Sequence, residues 1–185
     1  KIDKNQMIAS RIAGGVIWSY GNALSAPYTE QFYIGGANSV RAFSARSIGP
    51  GGYAPDKESK YSFINHVGDI RMEANVEYRF RIFKSFWGAT FLDAGNVWLL
   101  RKDRKLLADG KEARPDSQLR LKTFPKQIAL GTGVGIRYDM DILVFRLDFG
   151  IPLHLPYDTD RSGYYNVTGA FFKNLGIHFA IGYPF

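Results

Sequence analysis

Large apolar and small or polar side chains alternate along the last twelve residues, positions 174–185. Successive side chains of a β-strand point to opposite faces, so this run predicts a strand with one apolar face. A soluble β-domain seldom leaves so apolar a face on its terminal strand, whereas a transmembrane barrel turns such a face to lipid and the other to its lumen. The apolar positions are Leu175, Ile177, Phe179, Ile181, Tyr183 and Phe185.

A second run, residues 67–81, separates charged from apolar side chains even more clearly. Its odd positions include Asp69, Arg71, Glu73, Glu77, Arg79 and Arg81, and its even positions include Ile70, Met72, Val76, Tyr78 and Phe80. Residues 127–138 and 143–151 repeat the division, and residues 8–20 and 86–100 show looser versions of it. Each run meets the roughly 9–11 residues that a tilted strand needs to cross a bilayer. We therefore predict six transmembrane strands.

The connections between these strands alternate in length. Residues 81–85 and 138–141 are short turns, whereas segments 22–66, 100–126 and 152–173 are long. Short periplasmic turns and long extracellular loops are typical of outer-membrane barrels, but a single-chain barrel needs at least about eight strands. We therefore expect an all-β fold, an antiparallel transmembrane β-barrel to which this chain contributes about six strands. Residues 1–185 are then the carboxy-terminal portion of a larger or oligomeric barrel, with the long extracellular loop 22–66.

The composition agrees with strands rather than helices as the membrane spans. Hydrophobic residues make up 45% of the chain, yet the mean hydropathy is only −0.19. The charge-free stretch 12–29 contains Gly, Asn, Ser and Pro, which exclude a membrane-spanning helix. The absence of cysteine suits the cell envelope. Residues 1–5 lack the apolar core of a signal peptide, so we expect a mature exported protein or a downstream piece of a longer chain.

Signals for other kinds of chemistry are weak. The glycines of G-x-G-x-G at Gly131, Gly133 and Gly135 continue a strand, so we expect them to leave lumen space rather than to bind a nucleotide. The three histidines lack ligand spacing, and the serines lack a catalytic context. The net charge of +7, including the basic run 101–105, reads better as solvated loops than as a nucleic-acid or lipid-phosphate site. We expect no enzymatic activity, no cofactor, no metal and no nucleic-acid partner.

Two motifs go beyond general barrel patterning. The first long loop contains Gly35, Gly36, Arg41, Ala42 and Phe43, and the third predicted strand contains Phe91, Asp93, Gly95 and Trp98. With the terminal strand, they resemble the outer-membrane protein assembly family of the BamA and TamA type, also called bacterial surface antigens. The family patterns G-G-x-x-x-x-R-G-[FY] and F-x-D-x-G-x-x-W match in order and spacing, and the resemblance covers essentially the whole chain. It implies a Gram-negative outer-membrane location and an amino-terminal periplasmic module, which residues 1–185 do not include.

The loop arginine has natural partners on the predicted lumen face. Loops of this length usually carry a function, and one that folds inward needs polar partners inside the barrel. Glu77 and Asp93 both face the lumen, so we expect Arg41 to make charge-assisted bonds with them. The resemblance implies the same contact, which could also serve stability alone. The family usually has Gly where this chain has Ala42; if the site needs positive φ, Ala costs on the order of 1 kcal/mol.

The terminal strand suggests a mechanism. Gly176, Gly182 and Pro184 weaken ladder pairing, and the proline donates no backbone hydrogen bond. A last strand that pairs poorly leaves a seam, and its exposed edge could template an incoming strand. This resembles the lateral gate of the assembly family. The alternative is ordinary fraying at a chain end.

We therefore expect an outer-membrane β-barrel assembly, insertion or protein-translocation factor. It acts through a strand seam built from Gly176, Phe179, Ile181, Gly182, Tyr183 and Phe185, and through the inward loop. Expected partners are outer-membrane lipid and unfolded outer-membrane protein clients, and the resemblance leaves room for periplasmic accessory proteins. One alternative is a passive outer-membrane pore or secretion channel of the same superfamily, which needs an open lumen. The other is a soluble ligand-binding β-barrel, which would turn its apolar stripes inward.

Overall fold

The fold is a single antiparallel sheet of six strands in sequential order. A computed structural model describes residues 3–21, 23, 26–54, 62–103, 110, 112–161 and 163–185. Parts of the predicted long loops therefore lie outside the described residues, as do Arg104 and Lys105 of the basic run. The strands are β1 (Gln6–Val16), β2 (Ile70–Phe83), β3 (Phe86–Trp98), β4 (Ala129–Asp139), β5 (Val144–His154) and β6 (Gly176–Ile181).

The six predicted strands and both short turns are confirmed. Lys84 and Asp141 have φ of 44° and 64° in the β2–β3 and β4–β5 turns, where the chain reverses within a few residues. The longer connections contain the 3-10 helices Ser62–Asn65, Phe124–Gln127 and Phe171–Lys173. No helix among the described residues is long and apolar enough to cross a membrane. Within the described residues the sheet is open, with β1 and β6 as its two edges.

The two faces of the sheet have the character that the alternation predicts. On β2, the side chains of Glu73, Asn75 and Glu77 are at most 3% exposed, whereas Val76 and Phe80 are 47% and 38% exposed. We call the face that carries the buried charges the inner face and the opposite one the outer face. A soluble barrel would need the reverse arrangement, with apolar side chains buried and charges in solvent. The outer face suits lipid instead.

Two strands are shorter than the sequence predicts. β1 ends at Val16, although the apolar pattern continues to Tyr20, and β6 ends at Ile181 rather than at the carboxy terminus. At the first site, the backbone N of Ile17 still donates to the carbonyl of Asp69 at 2.8 Å, but the next residue, Gly68, pairs with Phe32 of the first long loop instead of with β1. The residues after Ile17 therefore leave the sheet.

The apolar core is small and lies between the first long loop and the inner face. The loop contributes most of its side chains, and β3 and β4 contribute one each: Ile34, Val40, Ala42, Phe43, Ile48, Val97 and Ala129. Burial of these side chains stabilises the inward position of the loop through the hydrophobic effect. The core thus places the loop motif directly over the charged strand positions.

Candidate functional site

Residues 35–43, which we call the loop tip, fold back over the inner face. Gly35 and Gly36 have φ of 93° and 90°, a conformation that glycine adopts readily. The backbone N of Gly36 donates to the carbonyl of Phe43 at 2.7 Å, which closes the loop tip into a compact turn. A Cβ at Gly35 would lie 2.2 Å from the carbonyl oxygen of Ser44, so no larger residue fits there. These glycines turn the motif arginine toward the sheet.

Arg41 lies at the centre of the site, and its side chain is fully buried. Its guanidinium donates two hydrogen bonds to Asp93, from Nε to Oδ2 at 2.7 Å and from Nη2 to Oδ1 at 2.9 Å. Its Nη1 donates to Glu77, and its backbone N also donates to Asp93 at 3.1 Å. The ring of Phe91 lies against the guanidinium at 3.7 Å, within cation–π range. The structure therefore brings together the three residues that the sequence groups, and adds Phe91.

The charged cluster extends beyond this trio to residues that sequence reasoning did not assign. Glu77 also accepts from Arg79 at 2.6 Å and from Arg137 at 3.0 Å. Asp148 on β5 pairs with Arg137 at 2.6 Å and with Arg146 at 2.9 Å. All five side chains are buried or nearly so. The sequence does show that Arg137, Arg146 and Asp148 are charged residues within largely apolar strands. Their partners, however, depend on how the strands align with one another.

A network of this kind holds a loop in one position rather than simply adding stability. Desolvating the charges offsets much of the attraction between them, so buried ion pairs add little net stability. Removing one member is another matter, because it leaves a buried charge without compensation, at a cost of about 3–5 kcal/mol. The arrangement therefore penalises any position of the loop tip in which Arg41 leaves Asp93 and Glu77.

Ala42 fits the site without the strain that a positive φ would impose. It is not among the residues with positive φ, so the family's glycine is not needed here for backbone reasons. Its methyl group packs against Gly131: a Cβ added at Gly131 would lie only 2.3 Å from the Cβ of Ala42. The expectation that glycines leave room for the loop is therefore confirmed at Gly131. The space beside Gly133 is filled instead by the carbonyl oxygen of Phe149 and the ring of Phe91, and the space beside Gly135 by the Arg137–Asp148 pair.

The strand motif divides between two sites. Phe91 and Asp93 contact the loop tip, as described above. Gly95 allows close packing against β2, since a Cβ there would lie 2.7 Å from the carbonyl oxygen of Met72. Trp98 is fully buried, and its Nε1 donates to Gln127 Oε1 at 2.9 Å. It supports the segment before β4 rather than the arginine site.

Comparison with known proteins identifies the family. Residues 1–185 match the Omp85 superfamily domain. The chain belongs to the Omp85 superfamily. The crystal structure of BamA from Haemophilus ducreyi lacking POTRA domains 1–3 is similar, with a TM-score of 0.61 and 17% sequence identity over 97% of this chain. At that identity the likeness establishes the fold, that of the BamA barrel. This Omp85 domain spans about a third of the BamA chain, 32% of its length.

The carboxy-terminal residues of this Omp85 domain do not continue the terminal strand. The sequence predicts alternation as far as Phe185, but Gly182 has φ of 90° and turns the chain out of β6. The ring of Tyr183 lies 4.2 Å from the guanidinium carbon of Arg79, and the ring of Phe185 lies 5.4 Å from that of Arg11. The prediction that these two aromatic residues extend the lipid-facing stripe is therefore wrong. They contact inner-face arginines instead.

The remaining strand residues keep their predicted positions. Phe179 and Ile181 are 66% and 59% exposed on the outer face. Gly176 lies beneath the loop tip, where a Cβ would come within 3.3 Å of the carbonyl oxygen of Arg41. The last strand thus presents one face outward and touches the inserted loop with the other.

The first two residues of the basic run, Arg101 and Lys102, have exposed side chains. The guanidinium of Arg101 lies 5.7 Å from the ring centre of Trp18, and Lys102 Nζ pairs with Glu112 at 2.5 Å. Both contacts lie at the exposed surface, so the prediction of solvated charge is confirmed for Arg101 and Lys102. Exposed ion pairs of this kind contribute little to stability.

Proposed function

We propose that this Omp85 domain is the carboxy-terminal part of an outer-membrane barrel that inserts or translocates other β-barrel proteins through a seam beside β6. The observation that carries the proposal is the length and pairing of β6. It has six residues and pairs with β5 only from Gly176 to Ile181, because Gly182 turns the chain out of the strand, so it offers a short ladder to any neighbouring strand. A weakly paired edge can accept an incoming strand by β-augmentation.

The family and the fold support this proposal at a coarse level. Membership of the Omp85 superfamily and the likeness to the BamA barrel favour a role in outer-membrane protein assembly or translocation in a Gram-negative bacterium. The apolar outer face would contact outer-membrane lipid. Unfolded outer-membrane proteins would be the clients, with periplasmic accessory proteins as further partners. The connection formed by residues 22–66 would lie on the extracellular side.

The inward loop tip favours an assembly role over a passive channel. A passive channel needs an open lumen, whereas residues 35–43 pack across the inner face and are held there by Arg41. Arg41→Ala separates the two functions in the full-length protein. A passive channel would change its conductance more than its assembly activity, whereas an assembly factor would lose client insertion.

Photocrosslinking during insertion tests the seam directly. A photoreactive amino acid at Ile177 on β6 is compared with one at Leu92 on β3, since both side chains are apolar and exposed on the outer face. The full-length protein, reconstituted in liposomes, is then given an unfolded outer-membrane protein as client. We expect crosslinks to the client from position 177 and few from position 92. Equal crosslinking at both positions, or none at 177, would count against the seam.

A further inference from the structure

We propose that Arg146 is a second positioning residue for the loop tip, and that through it the loop links the first three strands to the final β5–β6 hairpin. Arg146 lies on the inner face of β5, which β4 separates from the strands β2 and β3 that bind Arg41. Its Nη1 donates to the carbonyl oxygen of Ala37 at 2.8 Å, and its Nη2 donates to Asn38 Oδ1.

The loop tip is therefore held from several strands at once. Arg11 on β1 donates to the carbonyl oxygen of Asn38 at 2.9 Å, and Asn75 on β2 donates to that of Ser39 at 2.9 Å. Arg146 binds the carbonyl just before these two. Three consecutive backbone oxygens of the loop thus accept bonds from β1, β2 and β5. The loop tip spans the inner face as a strut.

The bonds of Arg146 to the loop do not follow simply from its charge. Its side chain is fully buried, and Asp148 at 2.9 Å is the carboxylate it pairs with among the described residues. Asp148 also pairs with Arg137, so one carboxylate is shared by two guanidinium groups. A buried guanidinium needs further acceptors for its remaining N–H groups. The loop supplies two of them.

Arg137 provides a natural comparison, because it stands opposite Arg146 in the register between β4 and β5. Both side chains are fully buried, and both pair with Asp148. Arg137 directs its other bond to Glu77 at 3.0 Å, within the sheet. Among the described contacts, only Arg146 of this pair reaches the loop backbone. Position along the inner face, not charge, separates the two roles.

The link matters because β5 is the strand on which β6 depends. The two pair from Phe145↔Ile181 to Gly150↔Gly176, and Asp148 stands opposite His178. The Arg41 anchor approaches the hairpin at a longer distance, Nη1 to Asp148 Oδ2 at 3.9 Å, whereas Arg146 hydrogen-bonds the loop backbone directly. A loop tied also to β5 restrains the hairpin. The inference depends on the proposed function only in treating β6 as the strand that moves.

Distance measurements on the full-length protein in lipid nanodiscs test the strut. Residues 1–185 contain no cysteine, so spin labels can be placed in this domain in two pairs once any other cysteines are replaced. Ala45 with Leu92 reports the loop relative to β3, and Leu92 with Phe179 reports β6 relative to β3. All three side chains are exposed.

Arg146→Lys keeps the charge but loses the planar fork that serves two acceptors. We expect it to broaden the distance distribution between β3 and β6 while the distribution between loop and β3 keeps its wild-type width. Arg137→Lys, the matched control, also loses a planar fork beside Asp148 but touches no loop backbone among the described contacts, so it should broaden the β3–β6 distribution less than Arg146→Lys does. Asn38→Ala removes one loop acceptor without altering a buried charge, so it tests the link even if Arg146→Lys does not fold. It should broaden the β3–β6 distribution to a smaller extent.

The inference is wrong if Arg146→Lys and Arg137→Lys give β3–β6 distance distributions of the same width. If Arg146→Lys does not fold, the inference is wrong if folded Asn38→Ala keeps the wild-type width of that distribution. Client insertion by the same variants is a separate readout. Broader distances with unimpaired insertion would support the strut and contradict the proposed seam.

Discussion

The methyl group of Ala42 occupies the space that a side chain at Gly131 would need. A Cβ added at Gly131 would lie 2.3 Å from the Cβ of Ala42, well inside contact distance, while its next neighbour, the carbonyl oxygen of Ile151, is 3.4 Å away. The loop tip and β4 therefore pack closely at this point. Where the family usually has glycine in the loop, this chain has alanine in the loop and glycine in the strand.

This relationship predicts a compensating pair of substitutions. Gly131→Ala should lower the free energy of unfolding of the full-length protein by about 1–3 kcal/mol, the usual cost of overpacking. Ala42→Gly removes the opposing methyl group, so the double variant should recover much of the loss. Urea unfolding of the refolded protein measures both. Additive effects of the two substitutions would contradict the contact.

Loss of the motif arginine should be costly in the same assay. Arg41→Met leaves Asp93 and Glu77 short of a buried partner, so we expect a loss of about 3–5 kcal/mol. Arg120→Met is the control, because Arg120 is exposed and pairs with Asp116 at only 3.9 Å. Its effect should stay within about 1 kcal/mol. Similar losses for both variants would show that the loop anchor has no special weight.

The turn at Gly182 should respond to a substitution that changes only its backbone preference. Gly182 has φ of 90° and nothing within 4 Å of an added Cβ, so Gly182→Ala acts through φ alone. We expect it to shift the terminal residues toward an extended strand and to separate Tyr183 from Arg79. Gly163→Ala, at φ of 102° in an outer loop with equally open space, is the matched control.

The readout for this turn is a solid-state NMR distance between the isotope-labelled ring of Tyr183 and the guanidinium carbon of Arg79, which leaves both aromatic–arginine contacts intact. Gly182→Ala should lengthen it, because an extended terminus leaves the inner face. Gly163→Ala should leave it unchanged. An unaltered distance in Gly182→Ala would mean that the aromatic–arginine contacts alone hold the terminus inward.

The outer loops contain a group whose titration should affect stability. Burial is the main cause that lowers the pKa of His66 below its ordinary value, and the nearby charge of Arg114 acts in the same direction, against the contact with the carbonyl of Gly49. The unfolded chain therefore binds a proton more readily than the folded one. The contribution of neutral His66 to the stability of the folded protein is therefore present above about pH 6.5, and it is lost as the pH falls through the lowered pKa of the folded state.

Comparison with His66→Phe isolates this effect, since phenylalanine keeps a ring but does not titrate. We expect the wild-type protein to lose more stability than the variant between pH 7.5 and pH 5. Urea unfolding at the two pH values gives both differences. Equal losses would mean that His66 does not contribute to the acid response.

Much of the fold was predictable because strand alternation is a local property. The charged positions of β2 and the apolar positions between them assign the two faces without knowledge of any partner strand. The Arg41–Glu77–Asp93 contact was also within reach, since a loop arginine and two lumen-facing carboxylates leave few alternatives. The alternation in residues 127–138 and 143–151 also places Arg137 and Arg146 on the inner face, but it does not specify what they contact.

Those contacts depend on relationships that alternation does not specify. Arg146 reaches Ala37, which is 109 residues away, only because the loop crosses the inner face at that height. The terminal strand was predicted too long for a related reason. A glycine at position 182 was visible in the sequence, but the sign of its φ depends on the contacts that Tyr183 and Phe185 find with Arg79 and Arg11.

The sequence by itself determined that this chain forms paired strands with one lipid-compatible face and one charged face, because side-chain direction in a strand alternates whatever the strand pairs with. Only the tertiary structure decided which charges meet and where the last strand ends. Arg41 and Asp93 are 52 residues apart, and their bond exists because strand register and loop path bring them together. Those features come from the packing of the whole sheet rather than from any local run of residues.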